Sequence, residues 1–156
     1  MSKSFKLDGG DLSIGAGRSY EQVDGAFKLA QDLRLWVLER IGTDPATPTF
    51  GSRLDGGVID GQEVPSFIGQ IGTDALVAEV RAEVISLLGA YQTQQITKMK
   101  SEMLIFDGKT TLGADEILQE ISSVEAQQDG TQIIVRVTVQ TLAGTTFRLL
   151  IPTNQA

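Results

Sequence analysis

The stretch that most restricts what this chain can fold into lies between Thr131 and Thr141. There Ile133, Val135, Val137 and Val139 fall on one side, and Arg136, Thr138 and Gln140 on the other. A period of two over β-branched residues turns one face to a core and the other to water, whereas helical geometry would scatter the same apolar groups around an axis. Turn signals bracket the run, with Asp129-Gly130 before it and Ala143-Gly144 after it. Ile117 to Gln128 upstream and Thr145 to Ile151 downstream, the latter carrying Phe147, Leu149 and Ile151, then complete a three-stranded antiparallel meander over residues 115–152.

Two earlier stretches have helical spacing. From Asp24 to Ile41, Phe27, Ala30, Val37 and Ile41 share one side, with Leu29, Leu33 and Trp36 beside them. Asp24 suits an N-cap and Gly42 a C-terminal stop. Trp36, at helical spacing from Leu29 and Leu33, reads as core. A second helix is expected from Asp74, where Leu76, Val80, Val84, Leu87, Leu88 and Tyr91 form one stripe. Ile96, Met99 and Met103 continue it thinly, so 92–102 reads as helix, with a strand as the other possibility.

The intervening residues 42–72 hold three of the four prolines and seven glycines, in Thr43-Asp44-Pro45, Thr47-Pro48, Asp55-Gly56-Gly57 and Asp60-Gly61. They read as a long ordered loop, because Phe50 and Phe67 have no place in a disordered linker. The opening residues alternate Phe5, Leu7, Leu12 and Ile14 with Gly9-Gly10, Gly15 and Gly17, which suggests an arm or edge strand. The expected fold is α+β: two or three helices packed on a small C-terminal antiparallel β-meander, with an extended N-terminal arm. Residues 1–156 make a single domain, divided into the arm (1–22), a helical part (23–103) with the loop 42–72, and the meander (115–152).

The residue inventory removes most catalytic chemistry. With no Cys and no His, the chain has no thiol nucleophile, no Ser-His-Asp triad, no imidazole metal site and no disulfide framework. A net charge of -7 without a basic patch, Lys98 and Lys100 being the only close pair, argues against nucleic acid as a partner. Met1 to Gly10 lacks an apolar signal region, and no stretch approaches the ~20 apolar residues that span a bilayer. A soluble, intracellularly made protein with no membrane partner is expected.

Carboxylates remain. Glu116 and Glu120 lie four apart, sharing a face in a helix or a strand, and could form the acid pair of a small muramidase. Surface charge is the simpler reading. Asp55, Asp60 and Glu63 could supply oxygen ligands for calcium, but the EF-hand spacing is missing. Gly15-Ala16-Gly17-Arg18-Ser19-Tyr20 begins like a dinucleotide fingerprint yet lacks the third glycine and a βαβ context. No catalytic, cofactor-binding or metal-ligating residue is assigned, and no cofactor is expected. An arm, a loop with embedded aromatics and a terminal sheet with open edges point instead to assembly.

The order Gly25-Ala26-Phe27-Lys28-Leu29-Ala30-Gln31-Asp32-Leu33, Trp36-Val37-Leu38, Gly42-Thr43-Asp44-Pro45 and Pro48-Thr49-Phe50-Gly51-Ser52-Arg53-Leu54 resembles the baseplate wedge and sheath-initiator proteins of contractile phage tails. The aspartate-leucine helix followed by a Pro-x-aromatic-Gly-Ser loop is its specific part. The second helix and the hairpin Ser123 to Pro152 extend the resemblance over nearly the whole chain. Leu7-Asp8-Gly9-Gly10-Asp11-Leu12 resembles the longer-armed branch found in phages with compact baseplates. Many relatives carry a Glu-Pro-Arg triplet before the terminal strands. Here Asp115-Glu116-Ile117-Leu118 stands near that place, so a contact made through the triplet is not carried over.

The resemblance implies a non-enzymatic structural role in a sixfold baseplate around the tail tube, in the virion after synthesis in the host cytoplasm. The terminal strands would present a sheet to which neighbouring arms add strands, templating the first ring of tail sheath protein. Arg136, Thr138, Gln140, Phe147 and Arg148 would line that sheet. Pro48, Phe50, Gly51, Ser52 and Arg53 would dock on other wedge proteins or on the tube or hub protein. Some members of the family are described as lysozyme-like, but no acid here stands in a glycosidase context. A baseplate component of a related secretion or injection system is the near alternative. The small muramidase and a cytosolic regulatory adaptor are the more distant ones.

Overall fold

The computed structural model describes residues 2–8, 11–15, 20–67, 73–130 and 132–153. In chain order these form β1 (Ser4–Phe5), β2 (Leu7–Asp8), β3 (Asp11–Leu12), β4 (Gln22–Val23), α1 (Gly25–Leu38), β5 (Arg40–Ile41), β6 (Ser52–Ile59), β7 (Gln62–Val64), α2 (Asp74–Ile105), a 3-10 turn (Ala114–Glu116), β8 (Leu118–Asp129), β9 (Gln132–Thr141) and β10 (Thr146–Pro152). The pairings are β1-β4, β2-β3, β5-β6-β7 and β10-β9-β8.

This corrects the expected fold of helices on one C-terminal meander with an extended N-terminal arm. The described residues form a mixed α+β fold with two α-helices and four small sheets, the longer helix in the middle and strands at both ends. The described residues of the segment 1–22 do not form a free arm. Ser4 pairs with Val23 and Leu7 with Leu12, both antiparallel, and Ile14 bridges Tyr20. The segment also docks on α1, where the Gln31 side chain accepts from the Leu7 N–H at 2.9 Å and donates to the Phe5 carbonyl at 2.8 Å. The loop 42–72 is likewise a sheet over much of its length, β6 pairing parallel to β5 and antiparallel to β7. The Gly9-Gly10 turn, residues 16–19 of the glycine motif, positions 68–72 and Thr131 lie outside the described residues.

Both helices have local causes. α2 begins where the Thr73 hydroxyl accepts the Leu76 N–H at 3.2 Å, and Asp74 complements the helix dipole. With no proline inside it, α2 runs 32 residues, through 92–102, to Ile105. Asp107 and Gly108 then adopt positive φ, and the Gly108 N–H returns to the Met103 carbonyl at 2.8 Å, closing the helix end. α1 stops at Leu38, short of Gly42, because Glu39 turns extended and its carbonyl accepts the Ser52 N–H at 2.7 Å.

The core lies between the helices and one face of the C-terminal sheet, α1 packing along β10 and α2 along β8. Leu29, Leu33 and Val37 of α1 and Val80, Val84 and Leu88 of α2 meet Val135, Val137 and Val139 of β9 and Ile151 of β10. Burial of this kind contributes about 1.5–3 kcal/mol per large aliphatic side chain. Beyond Gln95 no residue of α2 is buried, and Leu104, Ile105 and Phe106 at its end are exposed.

Candidate functional site at the edge of the C-terminal sheet

Backbone geometry decides which groups of this sheet remain available. The Thr141 N–H donates to the Thr145 carbonyl and the Thr153 N–H to the Ile133 carbonyl, so the odd-numbered residues of β9 and β10 exchange hydrogen bonds. Even-numbered residues of β10 therefore direct their N–H and C=O groups away from β9. These are Thr146, Arg148 and Leu150, since Pro152 has no N–H. Their side chains stand on the face opposite the core, where Thr146 and Arg148 are exposed and Leu150 is 56% exposed.

The other edge of the sheet is treated differently. β8 is bulged twice, between Leu118 and Glu120 and between Ile121 and Ser123. Carbonyls in its first half are occupied from α2, the Arg81 Nε donating to Val124 O at 2.7 Å and the Gln92 amide to Gln119 O at 2.6 Å. Bulges and bonded carbonyls blunt that edge from Leu118 to Val124. β10 stands at the end of the strand order, and no described residue bonds the outward backbone groups of Thr146, Arg148 and Leu150.

Both ends of β10 are pinned. Before it, Thr145 donates its hydroxyl to Asp115 Oδ1 at 2.6 Å and its N–H to the Thr141 hydroxyl at 3.1 Å. After it, the buried Thr153 donates its hydroxyl to Ile133 O at 3.0 Å and accepts the Ile133 N–H at 3.3 Å. A strand fixed at both ends loses little further freedom when a partner pairs with it.

The sequence-derived positions divide between two places. Arg136, Thr138 and Gln140 stand on the outer face of central β9, and Arg148 stands beside them on β10. Phe147 turns inward and packs against the core. In the other group Pro48 is exposed, but its neighbours serve the chain itself. Phe50 meets Trp36 edge-on at 4.6 Å between ring centroids. Ser52 is buried, as is Gly51, whose φ of 101° and 2.6 Å approach of a would-be Cβ to Glu39 O leave room for glycine alone.

Arg53 is clamped to buried Glu83, with Nη2 donating to Oε2 at 2.7 Å, Nε to the same oxygen at 3.1 Å and its backbone N–H to Oε1 at 3.1 Å. The carboxylate raises the Arg53 pKa, first through its hydrogen bonds and then by its charge. Both ends of the pair matter. Glu83→Ala should cost about 1–3 kcal/mol, because it orphans a backbone donor as well as the guanidinium. Arg53→Ala keeps the backbone donor but leaves the buried Glu83 Oε2 without its two guanidinium donors, so it should cost a similar amount, about 1–3 kcal/mol, by urea unfolding.

The Glu116 and Glu120 pair separates. Glu120 is exposed on β8 opposite Gln140, while Glu116, in the 3-10 turn, is 1% exposed. Glu116 Oε2 accepts the Gly113 N–H at 2.8 Å, the Ser2 hydroxyl at 3.1 Å and the Ser2 N–H at 3.3 Å. Burial pushes this carboxyl up, but those donors and the Lys28 charge outweigh it and hold the pKa below the ordinary 4.5. A glycosidase acid must stay protonated, which requires the opposite shift.

Glu116 ties the N-terminal residues to the sheet. A depressed folded pKa contributes stability that is complete above the unfolded value and is lost as pH falls through the folded one. Glu116→Gln should therefore cost about 1–3 kcal/mol at neutral pH. The gap from wild type should narrow below about pH 4 in urea unfolding.

Asp55, Asp60 and Glu63 are exposed around the β6-β7 hairpin, and no group of three or more potential metal ligands occurs among the described residues. Two grooves of about 470 and 450 Å³ flank α2, and most of the charges lining them are paired within the chain, Arg53 with Glu83, Lys28 with Asp32 and Lys98 with Glu102, while Glu79 forms no ion pair among the described residues. No helix among the described residues is long and apolar enough to cross a membrane. Sequence reasoning missed Thr146 and Leu150 as edge residues; the inward phase of Phe147, Leu149 and Ile151 is the signal that places them. Compared with family models, curated proteins and solved structures, the chain finds no significant match in any of the three.

Proposed function

We propose that this chain is a non-enzymatic assembly protein, a baseplate component of a contractile phage tail that initiates the sheath by accepting added β-strands. The observation that carries the reading is the asymmetry of the C-terminal sheet. One edge is bulged and bonded by α2, whereas β10 presents a straight row of outward backbone groups on a strand pinned at both ends. Strand addition draws its affinity from such a row and its specificity from the alternate side chains beside it. The resemblance of the Gly25 to Leu54 region to sheath initiators supplies the setting: sixfold copies in the virion, touching tail sheath protein, wedge proteins and the tube or hub protein.

The internal use of Phe50, Ser52 and Arg53 narrows the contact to the sheet, with Pro48 left at the surface of its loop. Quantitative mass spectrometry of purified tails tests the setting. A fixed, low ratio of this chain to the sheath subunit is expected. Absence from clean particles sinks the reading.

A further inference from the structure

We infer that the β10 edge is built to receive an acidic strand, an extended segment of a partner protein with carboxylates on the outer face and apolar side chains on the inner one. This rests on the strand addition proposed above and adds the chemistry of the incoming strand. An added strand would lay one set of side chains beside Thr146, Arg148 and Leu150, within about 4.5–5.5 Å between Cβ atoms. The next row inward is Gln140, Thr138 and Arg136, opposite those three residues in the register. The acids of that face, Glu120 and Glu125, are on β8, opposite Gln140 and Arg136 and two strand spacings from β10.

On the outer face an approaching strand thus meets two guanidinium groups before the carboxylates of β8, Asp115 lying at the start of β10 with its Oδ1 bonded to the Thr145 hydroxyl. Among the described residues Arg148 forms no ion pair, and Arg136 Nη1 donates to a neutral acceptor, Gln127 Oε1, at 2.8 Å. That positive strip sits on a chain of net charge -7. On the inner face the added side chains would continue the row of Phe147, Leu149 and Ile151, a place for apolar residues.

A second copy of this chain fits the edge poorly. Two β10 strands paired antiparallel about Arg148 set Arg148 against Arg148, and like charges directly opposite destabilise a pair. Pairing about Leu149 instead sets Pro152, which has no N–H, against Thr146. Two molecules of charge -7 also repel each other.

The test uses the full chain and two synthetic heptapeptides, one alternating Glu with Val and the other Lys with Val, with backbone amides followed by NMR. The Glu peptide should bind about three- to tenfold tighter than the Lys peptide, the range that one or two cross-strand charge pairs produce. It should protect the amides of Thr146, Arg148 and Leu150. Arg148→Glu, an exposed change, should reverse the preference, and added salt should shrink it. Equal affinities at those amides would overturn charge selection and leave strand addition standing. No protection of β10 by either peptide would overturn both. Self-association that protects the same amides without peptide would make a second copy the occupant and overturn the inference.

Discussion

Truncation of Trp36 to alanine should cost about 3–5 kcal/mol, the largest loss expected from a single change in α1. Trp36 is 7% exposed and is held edge-on by two rings, Phe50 at 4.6 Å and Tyr91 at 5.5 Å between centroids. It therefore joins α1, the segment before β6 and α2 in one aromatic contact, and the cavity left by alanine would open between all three. Its indole Nε1 is buried with no hydrogen-bond partner among the described residues, so the polar end of the side chain adds nothing that phenylalanine would lose. Trp36→Phe should consequently cost about 1.5 kcal/mol or less, since it keeps most of the ring contact and removes an unsatisfied donor. Urea unfolding at constant m-value separates the two variants. Equal losses would mean that the indole's extra ring, not ring contact in general, carries the stability.

The parts of the fold that could be read from sequence are those whose buried positions carry apolar side chains. Ile133, Val135, Val137 and Val139 are all buried on the central strand of the C-terminal sheet, and Leu76, Val80, Val84, Leu87 and Leu88 on α2. β6 escaped the same logic for a physical reason. Its buried positions are Ser52, Leu54, Gly56 and Gly57, a single apolar side chain among four, so no period-two hydrophobic signal exists. Gly57 is there because β5 comes too close for anything larger: a Cβ would stand 2.3 Å from Ile41 O. The N-terminal strands, two residues each, are too short to show any period.

The candidate site was legible to a similar degree. Alternation in Phe147, Leu149 and Ile151 fixes which side chains of the last strand face outward. It cannot reveal which edge of the sheet is open. That depends on Arg81 and Gln92 reaching across from α2 to the carbonyls of β8, contacts separated by 43 and 27 residues in sequence. The Pro48 to Leu54 segment misled in the opposite direction. Its proline and glycine content reads as exposed loop, yet Phe50 and Ser52 are drawn in by partners that no local pattern announces.

A proline at position 150 should leave the fold intact and abolish the sheath initiation proposed for β10. The Leu150 N–H points away from β9, so Leu150→Pro removes no ladder bond, and edge positions of this kind tolerate proline. The stability cost should be about 1 kcal/mol or less, because the Leu150 side chain is 56% exposed. An incoming strand, by contrast, would lose a donor and leave its own carbonyl unpaired, a penalty of about 1–3 kcal/mol per site, or roughly five- to a hundredfold in affinity. Repeated around the sixfold ring proposed above, that loss should prevent templating. Leu149→Pro is the control that separates unfolding from edge loss: Leu149 is 8% exposed and pairs with Val137 in the hydrogen-bonded register, so this variant should unfold, at about 3 kcal/mol or more. The decisive comparison is sheath polymerisation seeded by each purified variant, with thermal melting to establish which are folded. A folded Leu150→Pro protein that seeds sheath at the wild-type rate would move the contact off β10 altogether.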